Sequence, residues 1–329
     1  VTRTLTRPAP PAAPAPARTK VLGLLAAVGV GTLIAVQSRI NGELGQRMHD
    51  GTGAAVVSFG SGLLVLFVLV AALPSGRRGL RAVRVALRSG ELRWWQTLGG
   101  LCGALLVFSQ GYAAASLGVA VFTVAVVAGQ AGSSLLVDRA GLGPAGPQPL
   151  TATRVVGAVL AVAAVVLAVS DRFGSPAALA LAVLPALAGL GISWQQAVNG
   201  RVKEAAGAAV PAALVNFLTG TAVLLVAGVV HVAFAGWPAA LPAEPVLYLG
   251  GVIGVLFIAV AAALVRVTGV LLLGLGSVAG QLLGALVLDV LFPAAGTNLS
   301  AVTVGGTLLT LVAVGIAALP ARVGVRSPG

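Results

Sequence analysis

Ten runs of mostly apolar residues follow one another along this chain, and they constrain its fold more than any other feature. They are residues 21–40, 54–73, 95–113, 117–137, 153–170, 177–198, 210–234, 246–264, 268–291 and 301–319. A helix rises about 1.5 Å per residue, so about 20 apolar residues cross the hydrocarbon of a bilayer. Turn residues separate most of the runs, as at Leu73-Pro74-Ser75-Gly76, Gly143-Pro144, Gly174-Ser175-Pro176, Trp237-Pro238 and Phe292-Pro293. The junctions near 114–118 and 264–268 are tight and lack proline. Composition agrees with the runs: 58% of the 329 residues are hydrophobic and 9% are charged, against about 25% charged in a soluble domain. The sequence therefore predicts an all-α integral membrane protein with ten transmembrane helices.

The formal net charge of +12 does not point to nucleic acid, because the basic residues sit in short segments between apolar runs rather than on one folded face. Such segments set orientation in the membrane. With a cytoplasmic N-terminus, the inner segments hold Arg3, Arg7, Arg18 and Lys20, then Arg77, Arg78, Arg81, Arg84, Arg88 and Arg93. They also hold Arg139, Arg154, Arg201, Lys203, Arg266, Arg322 and Arg326, which makes seventeen of the twenty Lys and Arg. Arg39, Arg47 and Arg172 remain outside. Both termini are thus expected in the cytoplasm of a cell that carries this chain in its inner or plasma membrane. Residues 1–20, rich in Pro and Ala and basic, read as a disordered tail. A basic start before an apolar run also resembles a signal peptide, but the run after Lys20 exceeds the usual 7–15-residue core, so it reads as a retained first span.

The chain repeats itself. Gln37-Ser38-Arg39-Ile40-Asn41-Gly42 returns 158 residues later as Gln195-Gln196-Ala197-Val198-Asn199-Gly200, and the same shift carries Phe59 onto Phe217 and Gly62 onto Gly220. A shift of 151 aligns Gly99-Gly100 and Gly103 with Gly250-Gly251 and Gly254, Gly118 with Gly269, Gly129-Gln130 with Gly280-Gln281, and Asp138 with Asp289. Each half has five predicted spans, an odd number, so the second enters from the opposite face. The expected organisation is a tail (1–20), a first five-helix repeat (21–171), an inverted second repeat (172–320) and a short cytoplasmic tail (321–329). Inverted repeats characterise secondary transporters, whose sites lie near mid-membrane between the halves.

These residues resemble the drug/metabolite transporter superfamily, and within it the bacterial YdcZ-type branch. The resemblance rests on the Gln-x3-Asn pair Gln37 and Asn41, on Phe59-x2-Gly62, on a Gly-rich third helix, and on Gly129-Gln130 followed by small residues and Asp138 in the fourth. The family often has His after that Asp, where this chain has Arg139. The resemblance covers residues 21–319, twice over. It implies a ten-helix transporter fold, without a substrate.

Gln37 and Asn41 share a helix face one turn apart, toward the outer end of the first span; Gln195 and Asn199 do so toward the inner end of the sixth. They are candidates for the mouths of a central pathway, or for amides that only bond neighbouring helices. Gln130 and Gln281 fall near the middle of the fourth and ninth spans, where an amide is costly without partners or a wet cavity. They are the first candidates for substrate contact. Asp138 and Asp289 end those helices, and with Arg201 inside and Arg39 outside they are candidate gates; an acid at a helix end also simply pairs with a neighbour such as Arg139. None of the eight acids lies mid-span, which argues against a carrier that loads its substrate on a central carboxylate.

The small residues Gly276, Gly280 and Gly284, matching Ala125, Gly129 and Ser133, read as helix packing. The Arg cluster in 74–94 with Trp94 and Trp95 reads as an interfacial anchor on anionic headgroups. Cys102 is the single cysteine, and His49 and His231 are far apart, so no metal or other cofactor is expected. No Ser/His/Asp set, His-Glu-x-x-His motif or phosphate-binding Gly-Lys loop is present, so the chain does not read as an enzyme or ATP-driven pump. The expected function is transport of a small solute by alternating access, driven by a solute or ion gradient, with membrane lipids, an unidentified substrate and a coupling ion as partners. The alternative is a non-transporting scaffold, receptor or accessory subunit on the same fold.

Overall fold

The computed structural model describes residues 17–144, 146–168, 170, 176–236, 241–293 and 300–317. Residues 1–16 of the expected N-terminal tail, the expected C-terminal tail and the 171–175 loop lie outside the described residues, whereas residues 17–20, expected to be disordered, begin the first helix. Among the described residues all regular structure is helical. The principal helices are α1 (Ala17–Met48), α2 (Gly51–Ala72), α3 (Pro74–Ser89), α4 (Gly100–Ser109), α5 (Val119–Arg139), α6 (Ala152–Ala168), α7 (Pro176–Ala206), α8 (Ala209–Ala235), α9 (Gly250–Leu291) and α10 (Ala301–Ala317). A 3-10 helix, Trp94–Gly99, leads into α4; a π-helical turn, Gln110–Ala114, and a short turn, Ala115–Leu117, follow it. Seven helical segments are long and apolar enough to cross a membrane, and the shorter α6 and α10 are also apolar.

Two further features differ from the sequence reading. Residues 74–89 form a helix, because Pro74 occupies the first turn, where its missing N–H and fixed φ fit. That helix ends at Gly90, in the left-handed conformation at φ +79°. The junction expected near 264–268 falls inside the helical run of α9. The junction near 114–118 is present: Gly118, at φ +85° and ψ 150°, separates α5 from the preceding turn.

Close packing rests on small residues, and the tightest approaches come in pairs. In one seam α1 lies along α9, and in the other α5 lies along α7. A methyl group added to Gly31 would lie 1.9 Å from the Ser277 carbonyl oxygen, and one on Gly189 would lie 2.1 Å from that of Val126. One on Gly280 would meet the Val28 carbonyl at 2.0 Å, and one on Gly129 the Ala186 carbonyl at 2.1 Å. The four glycines and their partners are matched by the sequence shifts of 158 and 151. The same holds for Gly62 against Phe217 and Gly220 against Phe59, and for Gly251 against Ser58 and Gly100 against Asn216. At the centre the rings of Phe59 and Phe217 face each other at 4.8 Å within the apolar cluster of α2, α4, α8 and the start of α9.

Contacts sort the helix ends onto two faces. On one, Arg47 bonds both Glu43 and Glu244, and His231 approaches Asp50 at 3.4 Å. On the other, α3 packs Val83 and Ala86 against Val202, Ala206 and Ala212, while Arg201 donates to the carbonyls of Gly141 and Leu142.

Candidate functional site

Two polar clusters flank the Phe59–Phe217 pair. In the first, Gln37 Nε2 donates to the Gly250 carbonyl at 2.8 Å. Asn41 Nδ2 donates to Gln110 Oε1 at 2.7 Å, and Gln110 Nε2 donates to Ser38 Oγ at 2.9 Å. Gln37, Ser38, Asn41 and Gln110 are all buried, and Asn41 Oδ1 and Ser58 Oγ have no hydrogen-bond partner. Gln110 sits on the π-helical turn, a local widening often found at functional positions.

The second cluster holds the repeat equivalents. Gln195 Nε2 and Asn199 Nδ2 both donate to Asn216 Oδ1, at 3.1 and 3.0 Å. Asn216 is buried, whereas Gln195 and Asn199 are half-buried. Asn216 stands where the first half has Ser58, which explains why one cluster is gathered on an amide of α8 and the other on Gln110. Gly99 and Gly103 border the second cluster and Gly250 and Gly254 the first; a methyl group on any of them would press on these amides at 2.0–2.9 Å. The structure thus brings together Gln37, Asn41, Gln195 and Asn199 as two compact amide groups. Ser38, Gln110 and Asn216 were missed. Their signal, an amide or hydroxyl within an apolar run, is the same one that singled out Gln130.

Among the described residues, no hydrogen bond joins Gln130 to Gln281. Gln130 Nε2 donates to Gln196 Oε1 at 3.2 Å, and its carbonyl accepts from Ser193 Oγ at 2.8 Å. Nearby, Trp194 stacks on Trp95 at 6.5 Å. Gln281 is half-buried along the α1–α9 seam, where Thr32 Oγ1 reaches the neighbouring Gly280 carbonyl at 3.4 Å.

The two aspartates differ sharply. Asp289 is buried, and its oxygens accept from the backbone N–H groups of Val119 and Ala120 at 2.9 and 2.7 Å. It therefore caps the N-terminus of α5, which carries free N–H groups and the positive end of the helix dipole. Gly118 beside it would place a methyl group 3.0 Å from the carboxylate. Asp138 is half-exposed and pairs with Arg154, not with Arg139 or Arg201; Arg201 instead holds the 141–142 turn and lies near Glu204. One guanidinium nitrogen of Arg39 is buried without a hydrogen-bond partner.

Long apolar helices packed through glycines around buried amides define an all-helical, multi-pass membrane protein. A family model described as "Putative inner membrane exporter, YdcZ" matches residues 22–167 and again 180–316. The chain belongs to this YdcZ family of drug/metabolite transporters, whose description is that of a membrane transporter and not of an enzyme class. A crystal structure described only as that of a protein shares the fold at a TM-score of 0.52 and 19% identity, over 94% of this chain and 100% of the other. No curated protein matches the chain.

Proposed function

We propose that this chain is a secondary transporter that moves a small solute across the inner membrane by alternating access between two inverted five-helix halves. One observation carries the reading: the closest packing contacts are made twice, at positions related by the sequence repeat. Gly31 on Ser277 and Gly189 on Val126, or Gly62 on Phe217 and Gly220 on Phe59, are one contact written in both halves. The double match of the family model to residues 22–167 and 180–316 supports the same division, with the boundary near 171–172.

The count of ten spans is supported by the packing of α9. Its 42 residues would extend about 63 Å as one straight helix, twice the hydrocarbon thickness. Yet Gly250 abuts Asn41 while Gly284 abuts Thr32 and Ala35, only a few residues apart along α1. Contact with the same stretch of α1 near both ends of α9 supports a bend within its helical run and, with it, an eighth and a ninth span. The Lys and Arg bias then sets both termini, α3 and the 141–151 turn in the cytoplasm, with Arg47, Asp50, His231 and Glu244 outside.

Burial supports one assignment of this conformation within such a cycle. The outer amides Gln37 and Asn41 and the outer Asp289 are buried, whereas the inner Gln195, Asn199 and Asp138 are half-exposed. The outer mouth is shut and the inner one looser, the arrangement an exporter needs to receive solute from the cytoplasm. In this reading Gln195, Asn199 and Gln130 meet the solute first, and Gln37, Asn41 and Gln281 take their places in the opposite state. On the same reading Asp289 closes the outer mouth through its cap on α5, with Arg39 beside the buried amides of that end, and Asp138 with Arg201 closes the inner one when it shuts.

The test is a metabolite panel on purified protein, scored by thermal stabilisation, since a ligand of the native state raises its melting point. Hits are then followed as counterflow in proteoliposomes. Stabilising solutes that exchange across the bilayer support transport. Stabilisation without exchange for every hit favours a receptor or scaffold instead.

A further inference from the structure

Away from the amide clusters, α3 forms one wall of a groove of about 590 Å³ against the inner ends of α2 and α8. Its floor is apolar, with Val70 from α2, Val215 and Leu218 from α8, and Leu80 and Leu87 from α3. Its rim is cationic: Arg77, Arg81 and Arg84 all line it, at helical positions i, i+4 and i+7, which share one face. α3 is anchored by packing of Ala86, of Val83, which also lines the groove, and of Gly79 against Pro211.

Nothing among the described residues neutralises this rim. No carboxylate pairs with Arg77, Arg81 or Arg84. Arg77 donates to the Ala71 carbonyl at 2.9 Å, and Arg81 and Arg84 make no hydrogen bond. Three cations on one face repel each other unless an anion joins them. Leu80, Leu87 and Leu218 are each more than a third exposed, so the apolar floor also lacks a cover. The groove thus asks for one occupant with an anionic head and apolar tails.

We propose that this groove is a binding site for an anionic phospholipid, its phosphate among Arg77, Arg81 and Arg84 and its acyl chains against Leu80, Leu87 and Leu218. Basic pockets beside transmembrane helices suit such headgroups. On the orientation proposed above, the site faces the cytoplasmic leaflet. Because α3 joins the first half to the α7–α8 corner of the second, a bound lipid fastens that corner.

The experiment titrates phosphatidylglycerol into the full-length protein in neutral detergent and reads the melting temperature, with phosphatidylcholine and inorganic phosphate in parallel. It measures lipid binding and not transport, so its outcome is independent of the transporter reading. Phosphatidylglycerol stabilises the protein, and Arg81→Gln/Arg84→Gln raises its half-saturating concentration roughly 10- to 30-fold. The charge-matched control Arg78→Gln/Arg88→Gln, whose residues do not line the groove, shifts it less than about threefold. If the first pair fails to fold, Leu87→Trp, which fills the floor and keeps every charge, weakens phosphatidylglycerol instead. Equal stabilisation by phosphatidylcholine, equal loss in both charge pairs, or equal effect of inorganic phosphate would each overturn the proposal.

Discussion

Replacing Asp289 by alanine is the most informative single perturbation of this fold. The carboxylate joins the end of α9 to the start of α5 through two short bonds, 2.9 and 2.7 Å, to the N–H groups of Val119 and Ala120. A hydrogen bond to a charged group contributes about 1.5–3 kcal/mol, and loss of a helix N-cap costs about 0.5–2 kcal/mol. Water entering at this helix end recovers part of the loss, which leaves a net cost of about 2–4 kcal/mol. Asp289→Asn keeps one acceptor and turns an NH2 group toward the other N–H, so it falls between alanine and the parent. Asp138→Ala removes a half-exposed pair with Arg154, worth about 0–1 kcal/mol. Equilibrium unfolding in mixed SDS and dodecylmaltoside micelles orders the three variants. If Asp289→Ala unfolds like the parent, or Asp138→Ala costs more, the cap is not what holds α5 to α9.

The seams make a paired prediction: Gly129→Val and Gly280→Val, aimed at carbonyls within 2.1 and 2.0 Å, should both abolish folded protein in size-exclusion chromatography. Gly132→Val, with nothing within 4 Å, should not. Asn216→Ala leaves the Gln195 and Asn199 amides without their shared acceptor and should cost about 1–3 kcal/mol in the same unfolding assay. Ser58→Ala removes a buried hydroxyl that makes no hydrogen bond and should be near-neutral or stabilising by about 1 kcal/mol. With Cys102 replaced by serine, a cysteine at Glu244 should react with an impermeant maleimide in intact cells and one at Val85 should not; the reverse pattern would invert the orientation.

The all-helical, apolar character and the sequence repeat were legible because hydrophobic run length and matched rare residues are properties of the chain alone. The Gln-x3-Asn pairs could be placed on one face for the same reason, as 3.6-residue periodicity fixes it. What escaped needed contacts distant in sequence. Asp289 reads as a potential ion-pair partner, yet it serves the backbone 170 residues earlier, which no local spacing encodes. Gln110, Ser38 and Asn216 were passed over because single polar residues in an apolar run gain meaning only when their partners are known. Pro74 was read as a breaker although the first helical turn tolerates it, so α3 was hidden inside a stretch noted only for its arginines. Gln130 and Gln281 stand at equivalent positions of the sequence repeat, but mid-span depth does not say which neighbour each amide faces.

Alternating access predicts opposite behaviour at the two amide clusters, and this is measured most directly by cysteine accessibility. Cysteines are placed singly at Asn41 and Asn199 in the Cys102→Ser background, and their reaction with an impermeant reagent is timed in membranes opened to both faces. In the parent, position 199 should react faster than position 41, as their burial implies. Adding Asp289→Asn should loosen the outer mouth, raising the rate at 41 and lowering it at 199. Rates that move in the same direction at both positions, or at neither while the protein still inserts normally, would contradict the account.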